Sequence, residues 1–263
     1  TIYADAPERF YRIMDTVLPD MRAFMRQEGI SKEIRNINEG DIGLWAIWTL
    51  QEYAHWASLP DMVSRYGDFL DELIHYYLRN VHPNLRIDDN GLCVITGDGR
   101  PLSWMDAKVN GQAVVRREGY LVELNALWYN ALCFERELNG EKPEIGEIIS
   151  RIERSFPDTF LNCYNYLFDY VQDGKAQDWS VRPNMLFAIS LPTTTRSATA
   201  STRDHHKRTA DAERASKPKP QERRLPALLP WQTRRTGTGL LQWFGMALAT
   251  RTIHRSLSAF IRE

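Results

Sequence analysis

The sequence predicts an all-α double layer in which alternate helices form an inner and an outer ring. Three observations predict it. Apolar residues recur at three- and four-residue spacing through most of residues 1–192, which is the period of an amphipathic helix. The helical segments follow one another as hairpins with aromatic-rich apolar faces, and such faces must cover each other. One long stretch, residues 81–119, breaks the period and is rich in Asn, Asp and Gly. An irregular segment of that length in a compact domain is usually functional.

The elements follow in chain order. Residues 6–27 set Phe10, Ile13, Met14, Val17, Leu18, Met21, Phe24 and Met25 on one helical face. Residues 42–56 do the same with Leu44, Trp45, Ile47, Trp48, Leu50 and Tyr53. Residues 62–78 follow with Tyr66, Phe69, Leu70, Leu73, Ile74 and Tyr77. Inside the irregular stretch, His82 beside Pro83 reads as a loop residue, and Leu92-Cys93-Val94-Ile95 predicts a short strand between turns. Helical spacing resumes at 121–138, at 145–156 behind Pro143, and at 160–172, which Gly174 closes. Residues 184–190 predict a last short helix after Pro183.

A chain of 263 residues, 43% hydrophobic, can bury a substantial core. Its net charge of −1 hides a split. Residues 193–263 hold 14 Lys+Arg and 5 Asp+Glu, against 19 and 29 in residues 1–192. All 11 tyrosines lie before residue 193. The chain is therefore divided into a body, 1–192, and a basic tail, 193–263, whose Ser/Thr/Arg/Lys composition predicts disorder. A nucleic-acid arm is one meaning of such a tail; the expectation adopted is no nucleic-acid partner.

Three cysteines without paired or metal-like spacing suit a reducing compartment. With no apolar run of 18 residues and no leader-like start, the chain is expected to be soluble, cytoplasmic and free of the membrane. His205-His206 stands without Cys or carboxylate company, and no phosphate-cradling Gly-rich loop occurs. No metal and no cofactor are expected.

The chemistry concentrates in Ser103-Trp104-Met105-Asp106-Ala107-Lys108 and Val122-Glu123-Leu124-Asn125-Ala126-Leu127-Trp128-Tyr129-Asn130-Ala131-Leu132. Water-excluding sugar sites need aromatic faces for the rings and carboxyl groups to move protons at the glycosidic oxygen. An aspartate in a partly apolar cleft stays protonated because desolvation disfavours its charge. Asp106, beside Trp104 and Met105, is the candidate acid, the alternative being a loop Asp capping a backbone N–H.

Those two runs, followed by Arg182-Pro183-Asn184-Met185-Leu186-Phe187-Ala188-Ile189-Ser190-Leu191-Pro192, resemble the C-terminal amylo-α-1,6-glucosidase domain of bacterial and archaeal glycogen debranching enzymes. Asp41-Ile42-Gly43-Leu44-Trp45 is similar to an earlier segment of that family, with Gly where Pro or Ser is common. The resemblance covers residues 1–192. It implies an incomplete (α/α)6 toroid of the glucoamylase-like type, an α-glucan substrate such as glycogen or limit dextrin, and hydrolysis of α-1,6-linked glucose by an inverting mechanism.

On this resemblance Asp106 is the catalytic acid. Substrate-binding candidates are Asp41, Trp45, Trp104, Lys108, Glu123, Trp128 and Arg182. Each has a structural alternative: Asp41 as a helix cap, the tryptophans as core, Lys108 and Arg182 as partners of Glu123 or Asp106. An inverting enzyme holds its second carboxylate roughly 6.5–9.5 Å from the acid. The resemblance puts that base downstream of Glu123, in a part of the domain that this sequence does not show, so impaired hydrolysis or a non-catalytic glucan-binding pseudo-enzyme is the alternative. Read one nucleotide later, the codons of Gln242-Trp243-Phe244-Gly245-Met246-Ala247 allow the family's Asn-Gly-Ser-Val-Trp; the tail is expected to be an out-of-frame translation.

Overall fold

The computed structural model describes residues 7–26, 40–97, 99–172 and 176–192. The tail, with its expected disorder, its out-of-frame origin and His205-His206, lies outside the described residues, as does Gly174. The described residues form six α-helices: α1 (Pro7–Met25), α2 (Ile42–Trp56), α3 (Leu59–Leu78), α4 (Val122–Asn139), α5 (Pro143–Phe160) and α6 (Phe187–Ser190). A 3-10 turn, Pro183–Leu186, leads into α6.

Local chemistry sets the ends. Ser58 accepts the Asp61 N–H at 3.2 Å, and Pro60 fits the first turn, so α3 begins three residues before the expected 62. Gly140, at φ 77°, ends α4 in a conformation that costs glycine little. Pro143 opens α5, where a missing N–H is harmless, and the helix runs four residues past the expected 156.

Burial alternates along the chain. Every residue from 40 to 54, spanning most of α2, is buried, and so is every residue of α4 from 122 to 135. Helices apolar on all sides belong in a core. By contrast α1, α3 and α5 bury one face each, through Phe10 and Met14, Phe69 and Leu73, and Ile145 and Ile149. α2 packs on α3 and α4, α4 packs on α5 and α6, and α1 packs on α3. Helices buried along most of their length thus alternate with helices that bury one face.

The all-α expectation needs one correction. The described residues also form seven short strands in three small antiparallel sheets: β1 (Leu85–Ile87) with β2 (Cys93–Ile95); β3 (Lys108–Val109) with β4 (Gln112–Ala113); and β5 (Tyr120–Leu121) with β6 (Tyr170–Gln172) and β7 (Ala176–Gln177). β2 is the predicted strand. A bridge between Ile95 and Gly119 ties the first sheet to the third.

Of residues 160–172, expected to be helical, only Phe160 is, as the last residue of α5. Asn162 turns the chain by accepting the N–H groups of Tyr164 and Tyr166 at 2.9 and 3.4 Å. The residues beyond then pair with β5, Tyr120 facing Val171 and Leu121 facing Tyr170. Asn side chains favour such turns over helix interiors.

Candidate active site

The segment around Asp106 is built from its neighbours outward. The Ser103 hydroxyl accepts from Arg117 at 3.4 Å. The Trp104 backbone N–H donates to Asp41 Oδ2 at 2.6 Å. Met105 Sδ accepts from Asn184 Nδ2 at 3.2 Å. The Ala107 carbonyl accepts the Val114 N–H at 2.9 Å. Four anchors bracket Asp106, and Asp106 itself is exposed. Its carboxylate is free of hydrogen bonds and ion pairs to the described residues. The segment is fixed while its acid is left available.

The anchors converge on a buried polar cluster. Arg117, 3% exposed, holds Glu123 with two parallel hydrogen bonds, Nη1 to Oε1 at 2.5 Å and Nη2 to Oε2 at 2.7 Å. Its Nε donates to Asp169 Oδ2 at 2.9 Å. Asp169 also accepts from Arg182 at 2.8 Å and from Asn184 at 2.7 Å. Burial opposes the charge of Arg117, but Glu123 and Asp169 outweigh it and hold its pKa above the usual guanidinium value. Two guanidiniums face two carboxylates, so the interior balances its charge. The Asp169 carbonyl takes the Val122 N–H at 3.2 Å, filling the start of α4, where Leu121 offers no capping side chain. Glu123 sits in that first turn, where the helix dipole favours an anion.

The structure corrects several candidate roles. Asp41 is 0% exposed and sits at the N-cap of α2 without capping it; its Oδ2 holds the Trp45 indole N–H at 3.0 Å as well as the Trp104 amide. Trp45 packs against Trp48 and Phe187, 0% exposed. Trp128, 1% exposed, donates to the Gly91 carbonyl at 3.2 Å and packs against Tyr77. Neither indole has a free face for a sugar. Glu123, 0% exposed, has both oxygens on Arg117 and none on Lys108. These four belong to the support beneath the loop.

Arg182 is half-buried and joins Asp169 to Asp178, at 2.8 and 3.2 Å. Trp104 is half-buried against the core, and Lys108 is exposed on β3, before the Asn110-Gly111 turn. Asp106 and Lys108 are therefore the fully exposed candidates, and Trp104 and Arg182 reach the surface in part. The enclosure expected around Asp106 is not formed by the described residues. Arg117 and Asp169 lie outside the quoted runs, and Asn184 lies within one without being a candidate; the buried pairing of Arg117 with Asp169, to which Asn184 donates, identifies all three.

A family model described as amylo-alpha-1,6-glucosidase matches residues 27–209. Comparison with curated proteins finds no match. Among the described residues, no helix is long and apolar enough to cross a membrane.

Proposed function

Because the chain belongs to the amylo-alpha-1,6-glucosidase family, a family of glycogen-debranching glycosidases, we propose that it hydrolyses single α-1,6-linked glucose branches on glycogen and related α-glucans. The observation that carries this reading is the anchoring of the segment that bears Asp106, at Ser103, Trp104, Met105 and Ala107. Pinning the backbone on both sides of an acid holds it at one place relative to a bound branch, which is how orientation lowers a barrier.

In the proposed step the Asp106 carboxyl gives its proton to the glycosidic oxygen as the bond to the sugar C1 breaks. Water adds to C1 from the opposite face and passes its proton to a second carboxylate, leaving β-glucose and a free 6-hydroxyl. That second carboxylate is not Glu123, whose two oxygens are both taken by Arg117. Trp104 and Lys108 flank the acid and are the proposed sugar contacts; Asp41, Glu123 and Arg182 act through the loop they support.

The alternation of helices buried along most of their length with helices that bury one face supports a toroid of the glucoamylase-like type. A cytoplasmic location goes with the reading, since three cysteines outside any disulfide suit a reducing compartment.

Glucose release from a phosphorylase limit dextrin tests the proposal. Asp106→Asn should lower the rate by at least about a hundredfold, as loss of a general acid does, and the unmodified chain should release β-glucose first, seen by NMR. An unchanged rate in the variant removes Asp106 from the mechanism. Retention on glycogen with no glucose released by the unmodified chain leaves a binding protein instead.

A further inference from the structure

One group of side chains takes no part in the chemistry above. After α5 the chain makes a tight turn in which Asn162 accepts the Tyr164 and Tyr166 N–H groups, and its own N–H donates to the Tyr166 carbonyl at 3.0 Å. The Asn165 N–H donates to the Asn162 carbonyl at 3.0 Å, with Asn165 at φ 62°. This turn places Tyr164 outward, 54% exposed. Its ring lies nearly parallel to that of Tyr166, centroids 6.5 Å apart and planes at 13°. It meets Trp179, 45% exposed, at 6.2 Å and 69°. Buried Phe168 braces Trp179 from behind at 4.7 Å, and the Tyr166 hydroxyl donates to the Trp179 carbonyl at 3.4 Å. Leaving large rings in water forgoes burial energy, and contiguous exposed rings mark a binding surface.

We propose that Tyr164, Tyr166 and Trp179 form a platform that holds an α-glucan chain apart from the branch being cut. The proposal rests on the glucan reading above. The near-parallel Tyr164 and Tyr166 rings, with Trp179 turned 69° from Tyr164, offer aromatic faces in two orientations to the C–H faces of pyranose units. Phenol hydroxyls and an indole N–H at their rims can bond sugar hydroxyls, which a surface of aliphatic side chains cannot.

The platform is also joined to the acid segment. Asp178, next to Trp179, pairs with Arg182; Arg182 holds Asp169; and Asn184 bonds both Asp169 and Met105. A branched substrate has a main chain that must be held while its side glucose is removed. A built surface rigidly connected to the Asp106 loop suits that task.

The test is affinity electrophoresis of the full chain in gels containing glycogen, with calorimetry on maltoheptaose and on cellohexaose as a β-linked control. Trp179→Ala and Tyr164→Ala remove exposed side chains, and thermal melts confirm that the variants fold. Each should weaken glycogen retardation and maltoheptaose affinity by about tenfold, the scale of one lost aromatic contact. Cellohexaose should bind neither the unmodified chain nor the variants.

Equal retardation of variants and unmodified chain overturns the platform, as does no retardation of the unmodified chain. A dimer in sedimentation velocity that Trp179→Ala dissolves, with glycogen retardation unchanged, assigns the surface to a second copy and also overturns it. Retardation that depends on Trp179 without glucose release leaves the platform standing and removes only the hydrolytic reading.

Discussion

At the scale of single residues, Arg117 decides the most. It is the cation between two fully buried carboxylates, and its fork reaches Glu123, Asp169 and Ser103 at once. A buried ion pair contributes little net stability, because desolvation offsets attraction; losing one partner is costly, because a bare charge remains. Arg117→Met should therefore destabilise the fold by about 3–5 kcal/mol in urea unfolding. Arg117→Lys, which keeps the charge but not the fork, should lie between that variant and the unmodified chain. No pattern in the sequence separates Arg117 from Arg116, yet one is buried and the other exposed. The distinction comes from Asp169, 52 residues away, and a local reading cannot see it. Asp106 and Glu123, by contrast, draw notice in the sequence because they sit in long runs with recognisable neighbours. Which of the two faces water was not.

At the scale of elements, most helices were legible and, β2 apart, the strands were not; the stretch after Phe160 reads as helix and is not one. Leu44, Trp45, Ile47 and Trp48 announce α2 by spacing alone, whereas strands of two or three residues are too short to show a period. Pairing between β5 and β6 also depends on residues about fifty positions apart. One detail of α2 gains a physical cause. Gly43 stands where the resembled segment commonly carries Pro or Ser, and a Cβ there would run into the buried Tyr77 hydroxyl and come within 3.1 Å of Leu73 Cδ1. Gly43→Ala should thus cost about 1–3 kcal/mol as overpacking, against the roughly 1 kcal/mol that alanine brings to a helix interior. Adding Tyr77→Phe, which removes the obstructing oxygen but leaves Cζ at 2.9 Å, should recover part of the loss in thermal melts.

At the scale of the whole molecule, stability should depend on pH through one histidine more than its loop position suggested. His82 is 8% exposed, packed against Tyr76, Tyr77 and Phe24, and its Nδ1 accepts the Asn84 and Leu85 N–H groups, both at 3.0 Å. Burial pushes its pKa down from 6.5 to about 4. As pH falls below 6.5, the unfolded chain takes a proton that the folded chain refuses, so stability drops across the window from 6.5 to about 4. The loss should reach about 3 kcal/mol. His82→Asn, which keeps an acceptor for both N–H groups, should flatten that slope in urea titrations at pH 7 and pH 4.5. The thiols, finally, are distributed so that chemistry can tell them apart. Cys93 and Cys133 are buried, and burial pushes the Cys93 thiol well up, while Cys163 is exposed one residue before Tyr164. A maleimide dye will therefore attach at the edge of the aromatic turn without any mutation, and its emission will report whatever settles on the rings beside it.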